Sequence, residues 1–247
     1  MRSTSGKGIA LGLLAAAAVC GLAESQAADD FKYEDGYEVL FNGKDLTGWV
    51  YKPAAKVSLA GKTETPDKRF QIVNGAIVAN EKDEKGKGGI KNLFTTKVFD
   101  KDFILKLEFR AGPKADSGVY IRGPQLQVRD FIRRGEQKQF KKFKNDDWNE
   151  LEITVTGPVY SAQVNGKTVG PKDTLELTVK DGKPQATLNG KAVSLGTIQV
   201  SGGDAALCKC NGELLAKGMK VPAKGGIGLQ AETGKFEFRR IRIKEMK

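Results

Sequence analysis

"FILKLEFRAGPKADSGVYIRGPQLQVRD", residues 103–130, reads as three strands in a row. Phe103, Leu105, Leu107 and Phe109 fall on one face, and Ile104, Lys106, Glu108 and Arg110 on the other. That is the period of two expected of a half-buried strand. Beyond a Gly-Pro break, Val119 and Ile121 alternate with Tyr120 and Arg122. Beyond a second Gly-Pro, Leu126 and Val128 alternate with Gln125, Gln127 and Arg129. "WNELEITVTG" (148–157) repeats the pattern with Leu151, Ile153 and Val155 inward. In "FEFRRIRIKEM" (236–246), Phe236, Phe238, Ile241 and Ile243 reach one core only if a bulge near Arg239-Arg240 shifts the phase.

Between such runs stand Asn42-Gly43, Asn74-Gly75, Asn165-Gly166, Asn189-Gly190 and Asn211-Gly212. Asn-Gly favours the tight type I′ hairpin because both central residues tolerate positive φ. Three of these turns form a partial repeat: "SAQVNGKTV" (161–169), "QATLNGKAV" (185–193) and "LCKCNGELL" (207–215) align without gaps. The repeat stops short of the N-terminal half, so it reads as local hairpin duplication and not as a solenoid. With almost no helical periodicity, the chain is expected to be all-β: two packed antiparallel sheets, a β-sandwich. "YKPAAKVSLAGKTETPDKR" (51–69) and "EKDEKGKGG" (81–89) break the pattern as long polar loops.

The first 27 residues stand apart. Arg2 and Lys7 precede the apolar run "IALGLLAAAAVCGLA" (9–23), and "ESQAAD" follows with small residues, the make-up of a secretory signal peptide. The run is short for a spanning helix, and Val19 before Cys20 disfavours lipoprotein processing. The expectation is an exported protein, periplasmic or extracellular, without a transmembrane anchor. Residues 28–36 would be linker and 37–247 one domain, with the duplicated hairpin inserted near 171–205.

The chain has 41 Lys and Arg against 30 Asp and Glu, a formal charge of +11, and no histidine. The missing histidine excludes His-based triads and His metal sites. Cys208 and Cys210 remain after signal removal, too few to close a structural metal site. Side chains two apart on a strand lie roughly 6–7 Å apart, whereas disulfide Cβ atoms need about 3.8 Å, so both are expected to be reduced and core-facing. The run "RDFIRRGEQKQFKKFK" (129–144) carries seven cations with Phe131, Phe140 and Phe143 interleaved. In an exported protein it reads as a solvated loop or an attraction to anionic envelope polymers, with nucleic acid not expected.

"LFNGKDLTGW" (40–49), "FQIVNGAIV" (70–78), "FILKLEFR", "DSGVYIRG" (116–123), "LQVRD" (126–130), "WNELEI" (148–153) and "GGIGLQAETGKFEFRRIRIKE" (225–245) together resemble the 3-keto-disaccharide hydrolase domain family, also described as 3-keto-glucoside 1,2-lyase and 3-keto-2-hydroxy-glucal hydratase. The resemblance implies a concanavalin-like jelly roll and a hydrolase or lyase acting on glycosides oxidised at C3. A C3 ketone acidifies the C2 hydrogen. A base removes it, the C1 leaving group departs, and water adds back. On the family's sandwich the outward strand residues would line one sugar-facing hollow: Glu108 as base, Arg110 and Arg122 as forked donors, and Tyr120, Gln125, Gln127 and Arg129 around them. Asp130, Trp49 and Trp148 would stand at the rim, while Asn42 and Asp45 serve turn chemistry. The family commonly has Glu-x-Gln-x-x-Asp where this chain has Gln125 to Asp130, so an amide replaces a carboxylate and the base falls to Glu108 or Asp130. No nucleotide cofactor is expected, and a divalent metal is left open. The remaining readings are a non-catalytic glycan-binding module on the same scaffold, and an envelope protein held by its basic run.

Overall fold

The computed structural model describes residues 31–170 and 172–246. The expected signal peptide and Cys20 lie outside the described residues. In chain order the strands are β1 (Glu38–Val39), β2 (Trp49–Tyr51), β3 (Phe70–Val73), β4 (Ala76–Ala79), β5 (Lys91–Thr95), β6 (Phe103–Ala111), β7 (Asp116–Ile121), β8 (Gln125–Arg129) and β9 (Asn149–Val164). They continue as β10 (Lys167–Thr168), β11 (Leu175–Lys180), β12 (Lys183–Leu188), β13 (Lys191–Val193), β14 (Ile198–Cys210), β15 (Glu213–Val221), β16 (Ile227–Ala231) and β17 (Phe236–Glu245).

Two antiparallel sheets make the sandwich. The larger runs β15-β14-β9-β6-β17-β4-β3, with β1 on β17 and β10 on β9; the smaller runs β2-β5-β16-β7-β8. Alternation puts Phe103, Leu105, Leu107 and Phe109 of β6, Leu151, Ile153 and Val155 of β9 and Cys208 of β14 inside. They meet Val119 and Ile121 of β7, Leu126 and Val128 of β8 and Leu229 of β16 from the facing sheet, all at most 4% exposed. Burying a large apolar side chain is worth about 1.5–3 kcal/mol, so this shared interior dominates the stability. Both cysteines are free and buried, and burial pushes their thiols up to about 12.

Asn74-Gly75, Asn165-Gly166, Asn189-Gly190 and Asn211-Gly212 all turn with both residues at positive φ, and so does Asp181-Gly182. Asn42 differs. Its side-chain oxygen accepts from the Lys44 and Asp45 N–H groups, which makes a loop instead of a hairpin. The β17 bulge falls between Arg239 and Arg242, with Arg240 at φ +51, and it brings Ile241 and Ile243 back to the core.

β9 outruns its neighbour. Its pairing with β6 ends at Val155, and from Val159 to Val164 it pairs with β14, with β10 on its last residues. β11, β12 and β13 form a separate three-stranded sheet. Before β1, Glu34 accepts from Arg242 Nε and Nη2 at 2.6 and 2.8 Å, and Phe31 and Tyr37 lie against the same guanidinium.

Two outcomes test this packing. Gly225 pairs with Phe99, and a Cβ there would stand 2.6 Å from Arg122 Cα, a backbone atom that cannot turn aside. Gly225→Ala is expected to cost about 1–3 kcal/mol, read as a lower urea midpoint at unchanged slope. The Arg242 hydrogen bonds hold Glu34 down at about 2 from its ordinary 4.5. Its contribution to stability is present above pH 4.5 and lost as pH falls towards 2. Glu34→Gln is expected to flatten that part of a stability-against-pH curve.

Candidate functional site

The outer face of the five-stranded sheet is organised in rows. Strand register aligns Val50, Phe94, Gly228, Tyr120 and Gln125 in the first. Asn92 stands opposite Gln230, and Gly118 opposite Gln127, in the second. The third is charged: Asp116 opposite Arg129, with Glu232 just past the end of β16. The two glycines make this face possible. A Cβ at 228 would stand 2.6 Å from the Phe94 ring, and one at 118 would overlap the Gln125 amide. Without them Phe94 can lean over β16 to meet Tyr120, ring centroids 5.1 Å apart, and Gln125 can lie across β7.

A directed hydrogen-bond chain crosses the face. Gln125 Nε2 donates to Gln230 Oε1 at 2.8 Å, and Gln230 Nε2 donates to the Tyr120 hydroxyl oxygen at 3.0 Å. Because that oxygen is accepting, the Tyr120 proton is left to point at a ligand. Beside Gln230, Asn92 Oδ1 is buried without a partner, an acceptor waiting for a donor.

In the charged row most groups neutralise one another. Arg129 donates to Asp116 at 2.9 Å and to both Glu136 oxygens at 2.9 and 2.8 Å; Arg134 reaches Asp116 at 3.2 Å and Glu136 at 3.2 Å. Gln127 also donates to Asp116. Glu232 is the exception, with no hydrogen bond or ion pair among the described residues. Burial raises its pKa first and the Asp116 charge second, against a smaller pull from Arg129 and Arg134. It is a half-buried carboxylate that holds its proton to higher pH than usual, the tuning a general base needs.

The hollow expected around Glu108 does not form. Glu108 and Arg110 lie on β6 in the larger sheet, so alternation aims them away from Tyr120, Gln125, Gln127 and Arg129, with the whole core between. Glu108 is taken by Arg239 and Arg240, each at 2.7 Å. Arg110 holds Glu237 at 2.5 Å, and with Arg239 it flanks the Trp148 ring at 4.8 and 4.0 Å. Arg122 follows the end of β7 at φ +54, where strand alternation no longer applies. Its side chain is fully buried against Asp204, the carbonyls of Lys101 and Pro222 and the Phe103 ring. Asp130 is 0% exposed, accepting from the Lys114 N–H and Arg133. Trp49 is core, its Nε1 donating to the Leu40 carbonyl at 2.9 Å. Of the expected set, Tyr120, Gln125, Gln127 and Arg129 come together.

Phe94, Asn92, Gln230 and Glu232 join them unforeseen, although alternation in "GIGLQAE" (226–232) already sets Gly228, Gln230 and Glu232 on one side. The basic run is divided: its arginines and phenylalanines are engaged, while Lys138, Lys141, Lys142 and Lys144 are exposed. Arg129, Arg133 and Arg134 are ion-paired, Phe131 and Phe140 are buried, and Phe143 packs on Phe131. Among the described residues no group of three or more His, Cys, Asp or Glu is placed to hold a metal ion, and no helix is long and apolar enough to cross a membrane.

An antiparallel sandwich with rings, amides and an uncommitted carboxylate on one outer face has the build of a carbohydrate-active domain. The chain belongs to the 3-keto-alpha-glucoside-1,2-lyase-like domain family, which it matches over residues 36–244. A comparison with curated proteins finds no match. Among solved structures it is similar to a "putative glycosyl hydrolase" from Parabacteroides distasonis ATCC 8503, at 17% identity and a TM-score of 0.46, covering 92% of this chain and 98% of that one. A second such protein from the same organism has 16% identity and a TM-score of 0.42, covering 85% and 99%. A carbohydrate-binding module from Bacillus subtilis has 9% identity and a TM-score of 0.31, covering 85% and 96%.

Arg122 therefore belongs to the scaffold. Arg122→Leu leaves Asp204 without its cation and is expected to destabilise by about 3–5 kcal/mol, seen in chemical denaturation with no ligand present.

Proposed function

We propose that this protein is an exported enzyme acting on 3-keto-glycosides, with its site on the outer face of the five-stranded sheet and Glu232 as the base. Family membership supports the substrate class. The observation that carries the assignment is the raised, unpartnered carboxylate of Glu232 beside a row of amides and rings.

In the reaction, ionised Glu232 takes the C2 proton and the electron pair moves onto the C3 oxygen. That electron pair then returns to form the C1–C2 double bond as the bond from C1 to the leaving oxygen breaks, and the leaving oxygen takes up a proton. Addition of water across the double bond gives the free 3-keto sugar. Tyr120, whose oxygen already accepts from Gln230, supplies a donor for the developing C3 oxyanion. A donor of that kind is worth about 3–4 kcal/mol in a preorganised site. Asn92 Oδ1 accepts from a sugar hydroxyl, and the Phe94 and Tyr120 rings form a platform for apolar sugar faces.

Glu232→Gln is expected to lower turnover of a 3-keto-disaccharide by about 10²–10⁴. Glu108→Gln should leave turnover within a few-fold of the parent. Because the base acts ionised, activity should rise with pH through a value above the ordinary carboxylate range. That acid limb should vanish in Glu232→Gln. Full activity in Glu232→Gln would remove the assignment. One observation favours a second reading: among the described carboxylates of the charged row, only Glu232 lacks a partner, and no second free acid stands beside it. Calorimetric binding of the sugar without turnover would select a glycan-binding module on the same face.

A further inference from the structure

The exposed edges of the sheets are not alike. β2 has three residues and β13 three. β15 pairs with β14 through two register shifts and carries Lys217 and Lys220, and β3 is capped by the bridge from Glu64 to Gln71. These are the devices by which proteins keep an open strand edge from recruiting another chain. The edge strand β8 keeps unbroken register but carries Gln125, Gln127 and Arg129 outward. By contrast β11, whose two charges Glu176 and Lys180 are opposite in sign, is neither short, bulged nor capped. It pairs with β12 in unbroken register over all six residues, and its other edge is open. It also carries the two most exposed large apolar side chains among the described residues, Leu177 at 60% and Val179 at 73%.

The sequence of this strand is complementary to itself. Laid antiparallel on a second copy with Thr178 opposite Thr178, Leu177 faces Val179 and Glu176 faces Lys180. The two-fold axis repeats each contact. Strand alternation sorts them by face. The apolar pairs lie on the side shared with Ala186 and Pro184, the residues opposite Leu177 and Val179 in β12. The charge pairs lie on the other side, where Glu176 already accepts from Thr187 at 3.3 Å. In a slip of one residue, Glu176 faces Val179 and Leu175 faces Lys180, so each charge meets an apolar side chain and each apolar residue loses its match.

From this we infer that β11 is a homodimerisation edge: two copies join through antiparallel β11 strands into a six-stranded sheet, β13-β12-β11 of one continuing into β11-β12-β13 of its partner. The pairing buries Leu177 and Val179 against their symmetry mates and closes after two copies. It lies on the three-stranded sheet, separate from the five-stranded sheet whose outer face carries the proposed site, and stands whether or not the protein turns over a sugar.

Sedimentation equilibrium of the full-length chain over a concentration series tests the pairing. The parent is expected to equilibrate between monomer and dimer, and Val179→Lys to shift it to monomer with an unchanged circular dichroism spectrum. Glu176→Lys sets lysines against each other at both ends of the axis, and Lys180→Glu sets glutamates. Each alone should weaken the dimer by about tenfold. Mixing these two single variants should restore a heterodimer, because each supplies the charge that the other lost. A parent that stays monomeric at every concentration, assembly that grows past the dimer, or charge variants that fail to complement on mixing would each overturn the inference.

Discussion

Two sheets that bury their inner faces against one another leave two outer faces pointing in opposite directions. Every polar strand residue of this protein takes its role from which sheet its strand joins. The constraint is steric and hydrophobic: Phe103, Leu105, Leu107 and Phe109 of β6 must meet Val119, Ile121, Leu126 and Val128 of β7 and β8 across one interior. Once they do, Glu108 and Tyr120 cannot share a solvent pocket, however close they stand in the chain. The loop from Ala111 to Asp116 carries the chain from one sheet to the other, and with it the side on which alternation displays its polar residues.

The two outer faces differ in how far their charges are spent. On the larger sheet, Glu108 lies between two guanidinium groups, Glu237 holds Arg110, and Glu34 reaches over Arg242. Charge-assisted hydrogen bonds of this kind are strong because both partners are ionised, and they leave few lone pairs or protons for a ligand. On the smaller sheet, Asp116, Glu136, Arg129 and Arg134 neutralise one another in the same way, but Glu232 stays outside the arrangement. A surface whose charges are satisfied is scaffold; a carboxylate left unsatisfied at a cost in desolvation is a candidate for chemistry.

Gly118 and Gly228 give that face its shape by absence. Each removes a Cβ where a neighbouring side chain must lie flat, and so the Gln125 amide and the Phe94 ring become the floor of the site. The hydrogen-bond chain then has a direction, from Gln125 through Gln230 to the Tyr120 oxygen. Direction matters because it decides which atom still has a proton to give. A buried network with one open end is costly to build, which is why such an end marks a place where a ligand completes it.

Local geometry was written in the chain. Period-two alternation fixed the strands, Asn-Gly pairs fixed four hairpins through the positive φ that both residues accept, and the phase break at Arg239-Arg240 announced its bulge. The inward set was legible for the same reason, and so were Tyr120, Gln125, Gln127 and Arg129 as one outward group, since two strands joined by a Gly-Pro turn stay neighbours. Asn42-Gly43 misled because its side chain, not its backbone, makes the turn. The sequence by itself thus determined which residues point in and which point out along each strand. Only the tertiary structure decided which outward residues meet, because partnership across strands depends on sheet order, set by contacts between segments far apart in the chain. That is why Glu232, more than a hundred residues from Tyr120, lies on its face, while Glu108, twelve residues away, does not.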